Sequence, residues 1–375
     1  FHTVTIGNQN YMGDPRILIA GGGTGGHLYP AIAIGEALQL RNPRINIHYV
    51  GSTFGIEADV LPVKSLPHTL IPIRGLQRSI SLDAIGKNLI LPFRYLRASR
   101  RTKKLFQEFN PHAVVGTGGY ASAIPIKTAI NQQIPVLLQE QNSYPGITTR
   151  LYAEKAQAVC IAFDEAKNYL KGHCIVTGNP TRKSILNGHR SDAAKTFNFS
   201  PEKDTVFLFG GSQGSAALNK IMNKAINSLQ QEDVQVIWQT GYNQFSKFQH
   251  HDSDVVRVVP FINLMSDAYA LSDLIISRAG ALTLSEITVC GKPSILIPFP
   301  GAAGDHQMKN AEVLAKASAA HLIDEKDLSS FLLVETVLKL LHKKEKLEQM
   351  AHQTKNLAKP DATETIVDQI FQMID

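Results

Sequence analysis

Cysteine is scarce in this sequence: Cys160, Cys174 and Cys290 are the only three, and no two of them form a CxxC pair. Neither a disulfide framework nor a zinc site is thereby indicated, and a reducing cytosol fits best. No run of about 18 apolar residues occurs, so no segment is expected to span a bilayer. Extremes of charge are missing too. Lys+Arg number 38 against 32 Asp+Glu, a net charge of +6. With a pI near 9.1, that balance suggests an anionic partner and leaves phosphates, nucleic acid and anionic lipid open. Neither a known nucleic-acid module nor a repeated aromatic–basic pattern is found, so no nucleic acid is expected as a partner.

What is present is an ordinary globular composition: 375 residues, 43% hydrophobic and 19% charged, with a mean hydropathy of −0.08. At about 150 residues per domain the length favours two domains. The stretch Phe1 to Gly13 is polar and does not begin with Met, and it reads as a trimmed or tagged extension rather than a signal peptide. Short β-rich runs then alternate with helical patterns, which argues for parallel sheets of the α/β class. The first series of strands is expected at Arg16 to Ala20, Ile45 to Val50, Ala113 to Val115, Pro135 to Gln139, Ala158 to Ala162 and Cys174 to Thr177. After Gly178-Asn179-Pro180 the pattern restarts, at Thr205 to Phe209, Val234 to Gln239, Val255 to Val259, Leu274 to Ser277, Ser294 to Pro298 and Ala319 to Ile323. The expected division is a domain over 14–180 and a second over 181–359, both doubly wound and facing across a cleft, with the terminal helix in 360–375 packing back on the first.

Each half opens with a strand, a glycine-rich turn and an amphipathic helix. Gly21, Gly23 and Gly26 satisfy GxGxxG in strand–turn–helix context, where backbone N–H groups and a helix N-terminus can meet a phosphate. A nicotinamide dinucleotide would want a carboxylate at the end of the second strand, and Val50-Gly51-Ser52-Thr53 supplies none. His27 follows the loop directly, a titratable group at an anion site, either structural or a base. Gly210-Gly211-Ser212-Gln213-Gly214 repeats the arrangement in the second half, with amides and the Ser212 hydroxyl placed to take a diphosphate. Farther on, Ser277 to Glu286 runs from a strand into a helix, and Glu286 either binds a vicinal diol such as a ribose or caps the helix. Gly116-Thr117-Gly118-Gly119-Tyr120 and Glu140-Gln141-Asn142 follow two further strands, and turn structure alone does not explain why these loops share one sheet edge.

Taken together, Gly22-Gly23-Thr24-Gly25-Gly26-His27, Gly118-Gly119-Tyr120, Glu140-Gln141-Asn142, Thr177-Gly178-Asn179-Pro180, Gly210-Gly211-Ser212-Gln213-Gly214, Ser285-Glu286 and Asp305-His306-Gln307 closely resemble the MurG family in order and spacing. These are the bacterial transferases of peptidoglycan synthesis that add N-acetylglucosamine to lipid I. The similarity runs over roughly residues 15–370. It implies a GT-B fold and an inverting transfer from UDP-N-acetylglucosamine to the 4-hydroxyl of the muramoyl sugar of undecaprenyl-pyrophosphate-linked lipid I, forming a β-1,4 link. It also implies that Ser212 and its loop hold the donor diphosphate, Ile262 borders the uracil and Glu286 binds the ribose hydroxyls. Ala281, Leu282, Thr283, Leu284 and Ser285 would line the donor site, with Arg182 near the phosphates and Gln307 on the sugar. Some relatives have glutamine where this chain has His306, so the sugar contact is expected at Gln307 alone. Thr24, Gly25, Gly26 and Asn142 would approach the transferred sugar, Gly23, Gly118, Gly119 and Tyr120 the acceptor diphosphate, and His27 would be the base. No cofactor and no bound metal are expected. A UDP-N-acetylglucosamine 2-epimerase or a glycolipid synthase would share the donor site, and Glu140-Gln141-Asn142 argues against both.

Two further signals stand apart from the loops. Asp252-Ser253-Asp254 spells a DxD, but it sits in a polar run after His250-His251 and reads as a solvated loop rather than a metal site. Between Ile71 and Phe106, Ile80, Leu82, Ile85, Leu89, Ile90, Leu91, Phe93, Tyr95 and Leu96 are mixed with Arg94, Arg97, Arg100, Arg101, Lys103 and Lys104. Such a segment is either a core helix with a solvated basic face or a peripheral contact with an anionic membrane. The resemblance favours the second, at the cytoplasmic leaflet.

Overall fold

β-Branched and aliphatic runs bounded by glycine and proline form thirteen strands in two parallel sheets of the computed structural model, which describes residues 14–75 and 90–374. The stretch Phe1 to Gly13 and the apolar positions Ile80, Leu82, Ile85 and Leu89 lie outside the described residues. The first sheet comprises β1 (Arg16–Ala20), β2 (Asn46–Ser52), β3 (His68–Ile71), β4 (Ala113–Gly116), β5 (Val136–Glu140), β6 (Ala158–Ile161) and β7 (Cys174–Val176). Its order is β3-β2-β1-β4-β5-β6-β7. The second comprises β8 (Thr205–Phe209), β9 (Gln235–Gln239), β10 (Val256–Val259), β11 (Leu274–Ser277), β12 (Ser294–Leu296) and β13 (Ala320–Leu322), in the order β10-β9-β8-β11-β12-β13.

The chain divides into two compact units. The first holds residues 1–141, 145–180 and 361–375, and the second holds 142–144 and 181–360. In the first unit, alternate residues of each central strand enter different cores, as a parallel sheet covered on both faces requires. Ile17, Ile19, Val115 and Cys160 pack under the helix Gly25–Arg41, whereas Leu18, Ala20, Val114 and Ile161 pack under the helices Leu91–Phe109 and Ala123–Asn131. In the second unit, Leu208, Trp238, Ile276 and Ile297 meet Met222, Leu229, Val337 and Met350 from three helices. Phe207 and Phe209 occupy the opposite face.

β3 is a strand that the sequence pattern does not announce. It is four residues long, lies at the sheet edge and is bracketed by Pro67 and Pro72, a setting in which proline is tolerated because the outer N–H groups need no partner.

Both sheets reverse their strand order beside the first strand of the unit, between β1 and β4 and between β8 and β11. The register pairs Ala20 with Gly116 and Phe209 with Ser277, so the loops that follow these strands emerge side by side at the carboxyl edge, where open α/β sheets bind ligands.

The helix Ala362–Ile374 joins the first unit. Ile366, Val367 and Ile370 are fully buried against Ile34 and Leu38, and Arg41 pairs with both Glu364 and Asp368. Ile366→Ala should therefore cost about 2–5 kcal/mol. The expected outcome is a lowered urea midpoint for the first unit, followed by far-UV circular dichroism, with the transition of the second unit, followed by Trp238 fluorescence, left in place.

Candidate active site

In the first unit the two glycine loops at the switch point touch through their backbones. A Cβ at Gly119 (φ +76°) would stand 2.1 Å from the carbonyl oxygen of Gly22, so only glycine lets the loops close to this distance. The Thr117 hydroxyl donates to the carbonyl of His27 at 2.8 Å, tying the second loop to the start of the first helix. The His27 ring then lies over Gly118 and Gly119, where added Cβ atoms would meet its Cδ2 at 2.7 Å and its Nδ1 at 3.4 Å. Thr24 Oγ1 and His27 Nδ1 are 3.0 Å apart. Thus Thr24, His27, Gly118 and Gly119 form one group. Tyr120 adjoins it, with its ring against Gly23 and Gly75 and its phenol pushed up chiefly by burial.

The amide of Gly23 is a correction to the expected anion loop. Both carboxylate oxygens of Glu57 accept it, at 3.0 and 2.8 Å, and Oε1 also accepts the amide of Ser52 at 2.7 Å. Glu57 is fully buried, and Cβ atoms at Gly22, Gly51 or Gly55 would each stand 2.3 Å from its side chain. The chain's own carboxylate therefore occupies the nest that the glycine pattern offers to a phosphate, and Gly23 has no N–H left to give an acceptor. Glu57 was not singled out from sequence. The signal available was a carboxylate opening a helix, Glu57–Val63, close after a glycine-rich turn.

Glu140 and Gln141 also serve their own loop. Glu140 Oε2 accepts the amide of Gly146 at 3.0 Å. Gln141 Nε2 donates to the carbonyl of Thr117 at 2.8 Å, and Asn179 donates to the carbonyl of Gln141 at 3.1 Å while accepting from Gln139 at 2.9 Å. Asn142 belongs with the second unit, where Asn310 donates to its Oδ1 at 3.1 Å and accepts from the amide and hydroxyl of Ser143.

In the second unit the GGSQG loop is open where a ligand would need it. Ser212 is exposed, and a Cβ at Gly211 would meet no atom within 4 Å. Gly214, by contrast, is pressed on the carbonyl of Thr240, which a Cβ would reach at 2.0 Å. Gln239, buried and not foreseen, donates to the carbonyl of Gly211 at 3.0 Å and accepts the amide of Ile262 at 3.0 Å. It thus joins the loop to Ile262, whose side chain is buried and whose N–H is already committed.

The helix Ala281–Cys290 starts beside that loop with Gly280 at its N-cap. Leu284 is 1% exposed and packs in the core, and the Ser285 hydroxyl donates to the carbonyl of Ala281 at 3.0 Å. The Leu284 side chain is thus committed to the core, while the Ser285 hydroxyl spends its proton within the helix and keeps only acceptor capacity. Leu282 and Thr283 stay partly exposed in the first turn.

Glu286 lies one turn on. The Tyr269 hydroxyl donates to its Oε2 at 3.2 Å, and Arg182 Nη2 stands 3.7 Å from its Oε1. Burial lifts the carboxyl above the ordinary glutamate range, while Arg182 and Tyr269 pull it back. Tyr269 is fully buried, held edge-on by Phe207 and Phe209, and burial raises its phenol so far that it remains a donor. No sequence signal marked it. Arg278, also missed, donates to the hydroxyl of Ser215 and to the carbonyls of Ile297 and Pro298, and it pairs with Glu325. Gln307 lies in the first turn of the helix His306–Lys316 and accepts the amide of Phe299 at 2.9 Å through Oε1.

Asp252 of the DxD sequence pairs with Arg257 at 2.6 Å and accepts the amide of Val258, which gives it a structural task. Among the described residues no group of three or more His, Cys, Asp or Glu side chains is placed to hold a metal ion. No helix among them is long and apolar enough to cross a membrane.

The Glu57 nest yields a direct test. Glu57→Gln keeps the shape but sets an amide N–H₂ against the donors of Gly23 and Ser52, leaving a buried donor unsatisfied at about 1–3 kcal/mol. A lowered melting temperature is expected, together with faster hydrogen exchange at the amides of Gly23 and Ser52. Unchanged exchange at both would remove the nest assignment.

The glycosyltransferase family 28 N-terminal domain model matches residues 17–161, and the C-terminal domain model of the same family matches residues 205–366. The chain is 38% identical over 363 residues, 96% of this chain and 98% of the relative, to a protein of Christiangramia forsetii named UDP-N-acetylglucosamine--N-acetylmuramyl-(pentapeptide) pyrophosphoryl-undecaprenol N-acetylglucosamine transferase. A relative of the same name from Salinibacter ruber is 40% identical over 96% of this chain and 97% of its own. The crystal structure of MurG from Acinetobacter baumannii superposes with a TM-score of 0.76 at 28% identity, covering 96% of this chain and 99% of that one. A UDP-GlcNAc 2-epimerase from Neisseria meningitidis, bound to UDP-GlcNAc, shares the fold with a TM-score of 0.63 at 17% identity over 95% of this chain and 99% of that one. By its GT-B architecture, its paired family 28 domains and its identity to these relatives along nearly the whole chain, the protein belongs to the family of UDP-N-acetylglucosamine--N-acetylmuramyl-(pentapeptide) pyrophosphoryl-undecaprenol N-acetylglucosamine transferases.

Proposed function

We propose that the chain transfers N-acetylglucosamine from UDP-N-acetylglucosamine to lipid I, with the donor held by the second unit and the acceptor by the first. The observation that carries this reading is the likeness to transferases of that name along 96% of the chain. The geometry within each unit supports it with a residue for each task.

The muramoyl 4-hydroxyl oxygen bonds to the anomeric carbon as the bond from that carbon to the UDP phosphate oxygen breaks, with inversion to a β-1,4 link. The hydroxyl proton goes to His27. With Nδ1–H donating to Thr24 Oγ1, the tautomer that their 3.0 Å separation allows, Nε2 is the basic nitrogen. UDP leaves with charge growing on its β-phosphate, which Ser212, the amides of its loop and Arg182 stabilise. Glu286 accepts the ribose hydroxyls, Ile262 walls the uracil, and Gln307 and Asn142 address the sugar.

A labelled-donor assay with a short-chain lipid I analogue tests the whole reading. Coupled UDP release and labelled lipid are expected, and a loss of about 10²–10⁴ in kcat for His27→Ala follows from removing a general base. UDP release without labelled lipid would point to another acceptor or to epimerase-like chemistry instead. Glu286→Gln should raise the KM for UDP-N-acetylglucosamine about 10–100-fold, the worth of hydrogen bonds to a charged acceptor. Because burial lifts the Glu286 carboxyl, it takes up a proton sooner than an ordinary glutamate as pH falls. Donor KM should therefore climb on the acid side in the wild type, and this limb should vanish in Glu286→Gln.

The helix Leu91–Phe109 joins the two readings of the basic segment. Ala98, Thr102, Leu105 and Phe106 are buried in the first unit, while Phe93 is 75% and Leu96 54% exposed, beside the exposed Arg97, Arg100 and Arg101. Apolar tips ringed by cations suit the anionic surface that carries a polyprenyl-linked acceptor, a peripheral site on the cytoplasmic face of the membrane. Reversing Arg97, Arg100 and Arg101 to Glu should abolish co-sedimentation with anionic vesicles at low salt; unchanged binding would remove the membrane assignment.

A further inference from the structure

The first unit already contains the anion of its leading glycine loop. With both oxygens of Glu57 on the amide of Gly23, at 3.0 and 2.8 Å, an incoming phosphate would meet a buried carboxylate there and be repelled by it. Two nearby cations have the complementary need. The guanidinium groups of Arg74 and Arg94 both lie over the ring of Phe54, 4.5 and 4.8 Å from its centroid. The ring face offsets part of their mutual repulsion but supplies no acceptor oxygen. Among the described residues no carboxylate pairs with either arginine, and Nη1 of Arg94 is buried without a hydrogen-bond partner. Buried donors of this kind are satisfied in most proteins, so the orphan marks a place for an acceptor from outside.

Position favours a particular acceptor. The amide of Phe54 donates to Ser52 Oγ at 2.9 Å and the amide of Ser52 donates to Glu57, so the ring is mounted on the turn that fixes Gly23. Arg74 acts electrostatically on Tyr120, whose ring rests against Gly23 and Gly75. Arg74 and the loop group of Thr24 and His27 thus share a neighbour, and Arg94 joins Arg74 through the Phe54 ring. Phe54 is 41% exposed, so its ring is open to an entering ligand.

We propose that Arg74 and Arg94, braced on Phe54, form a clamp for the diphosphate of the lipid-linked acceptor. Two guanidinium forks match phosphate oxygens with paired hydrogen bonds, and a ring that orients them reduces the rotamer freedom lost on binding. The clamp rests on the transfer reading above. An anionic phospholipid headgroup presents the same phosphate chemistry, and the experiment separates the two sources.

Arg74→Gln, Arg94→Gln, the double variant and the corresponding Lys variants would be assayed with a water-soluble short-chain lipid I analogue in the absence of vesicles. Binding to phosphatidylglycerol vesicles would be followed separately. A rise of about tenfold in acceptor KM for each Gln variant, larger in the double and smaller in the Lys variants, is expected from the loss of charge-assisted bonds. Donor KM should stay within about twofold if the clamp touches only the acceptor. Inorganic pyrophosphate should inhibit the wild type competitively against the acceptor and lose potency in parallel. Unchanged acceptor KM with weakened vesicle binding would assign the arginines to phospholipid and overturn the proposal. So would unchanged values of both, or an equal rise in donor and acceptor KM with a lowered melting temperature. If the wild type itself transferred nothing, the transfer reading would have failed; pyrophosphate binding by calorimetry would then decide the clamp, upheld by a loss in the double variant and overturned by its persistence.

Discussion

Backbone pressed on backbone at the carboxyl edge of each sheet is the constraint on which the rest of the site depends. Strand order reverses between β1 and β4 and between β8 and β11, so two loops leave each sheet side by side with no helix between them. They reach van der Waals contact only where side chains are absent, as at Gly119 against Gly22; in the second unit the same closeness is met between the loops after β8 and β9, at Gly214 against Thr240. Once that contact is made, the first residues of the following helices have little freedom. His27 is carried to a place over Gly118 and Gly119, and Ser212 is left on an outer turn. The glycines act here chiefly as spacers that set where other residues stand, and only some of their amides remain to meet a ligand.

The buried charges around these loops are each settled in a different way. Glu57 has amide donors and a cage of glycines; Glu286 has a phenol that burial keeps protonated and an exposed cation, Arg182, 3.7 Å away. Arg278 has carbonyls, a hydroxyl and a carboxylate. A carboxylate fully satisfied from within, like Glu57, fixes geometry and has nothing to offer a substrate. Glu286, held by one neutral donor at 3.2 Å and a cation at 3.7 Å, has less of its acceptor capacity committed. The contrast supports opposite tasks for two glutamates that look alike in sequence.

Sheet architecture was legible because period-2 and apolar runs read directly as strands: β1, β8 and β11 begin and end where the pattern does. The edge strand β3 was not, since four residues between prolines carry too little periodicity. In the site, the loops and the clustering of Thr24, His27 and Gly118-Gly119 followed from strand–turn–helix grammar. Gln239, Tyr269 and Arg278 were invisible for one shared reason: each lies far along the chain from the group it holds, and nothing local to it is unusual; Glu57 carried only the local signal of a carboxylate opening a helix. Leu284 shows a different limit, a motif position whose side chain belongs to the core and whose backbone alone is left to face a ligand. A motif names the stretch that faces a ligand, and burial decides which atoms of that stretch can reach it.

The supporting shell also explains why the loops can hold their shape before a substrate arrives. Thr117 to His27, Gln141 to Thr117, Asn179 to Gln141 and Gln139 to Asn179 form a chain of buried and half-buried hydrogen bonds across the carboxyl edge of the first sheet. In the second unit Gln239 and Arg278 do the same for the GGSQG loop and the helix that follows it. Groups aligned in advance need not reorganise as charge moves from the attacking hydroxyl to the leaving phosphate, and reorganisation is the part of such a barrier that water cannot avoid. Inward-facing glutamines and asparagines, donors and acceptors without net charge, suit that task, because they satisfy carbonyls and amides without adding a field that would oppose a phosphate.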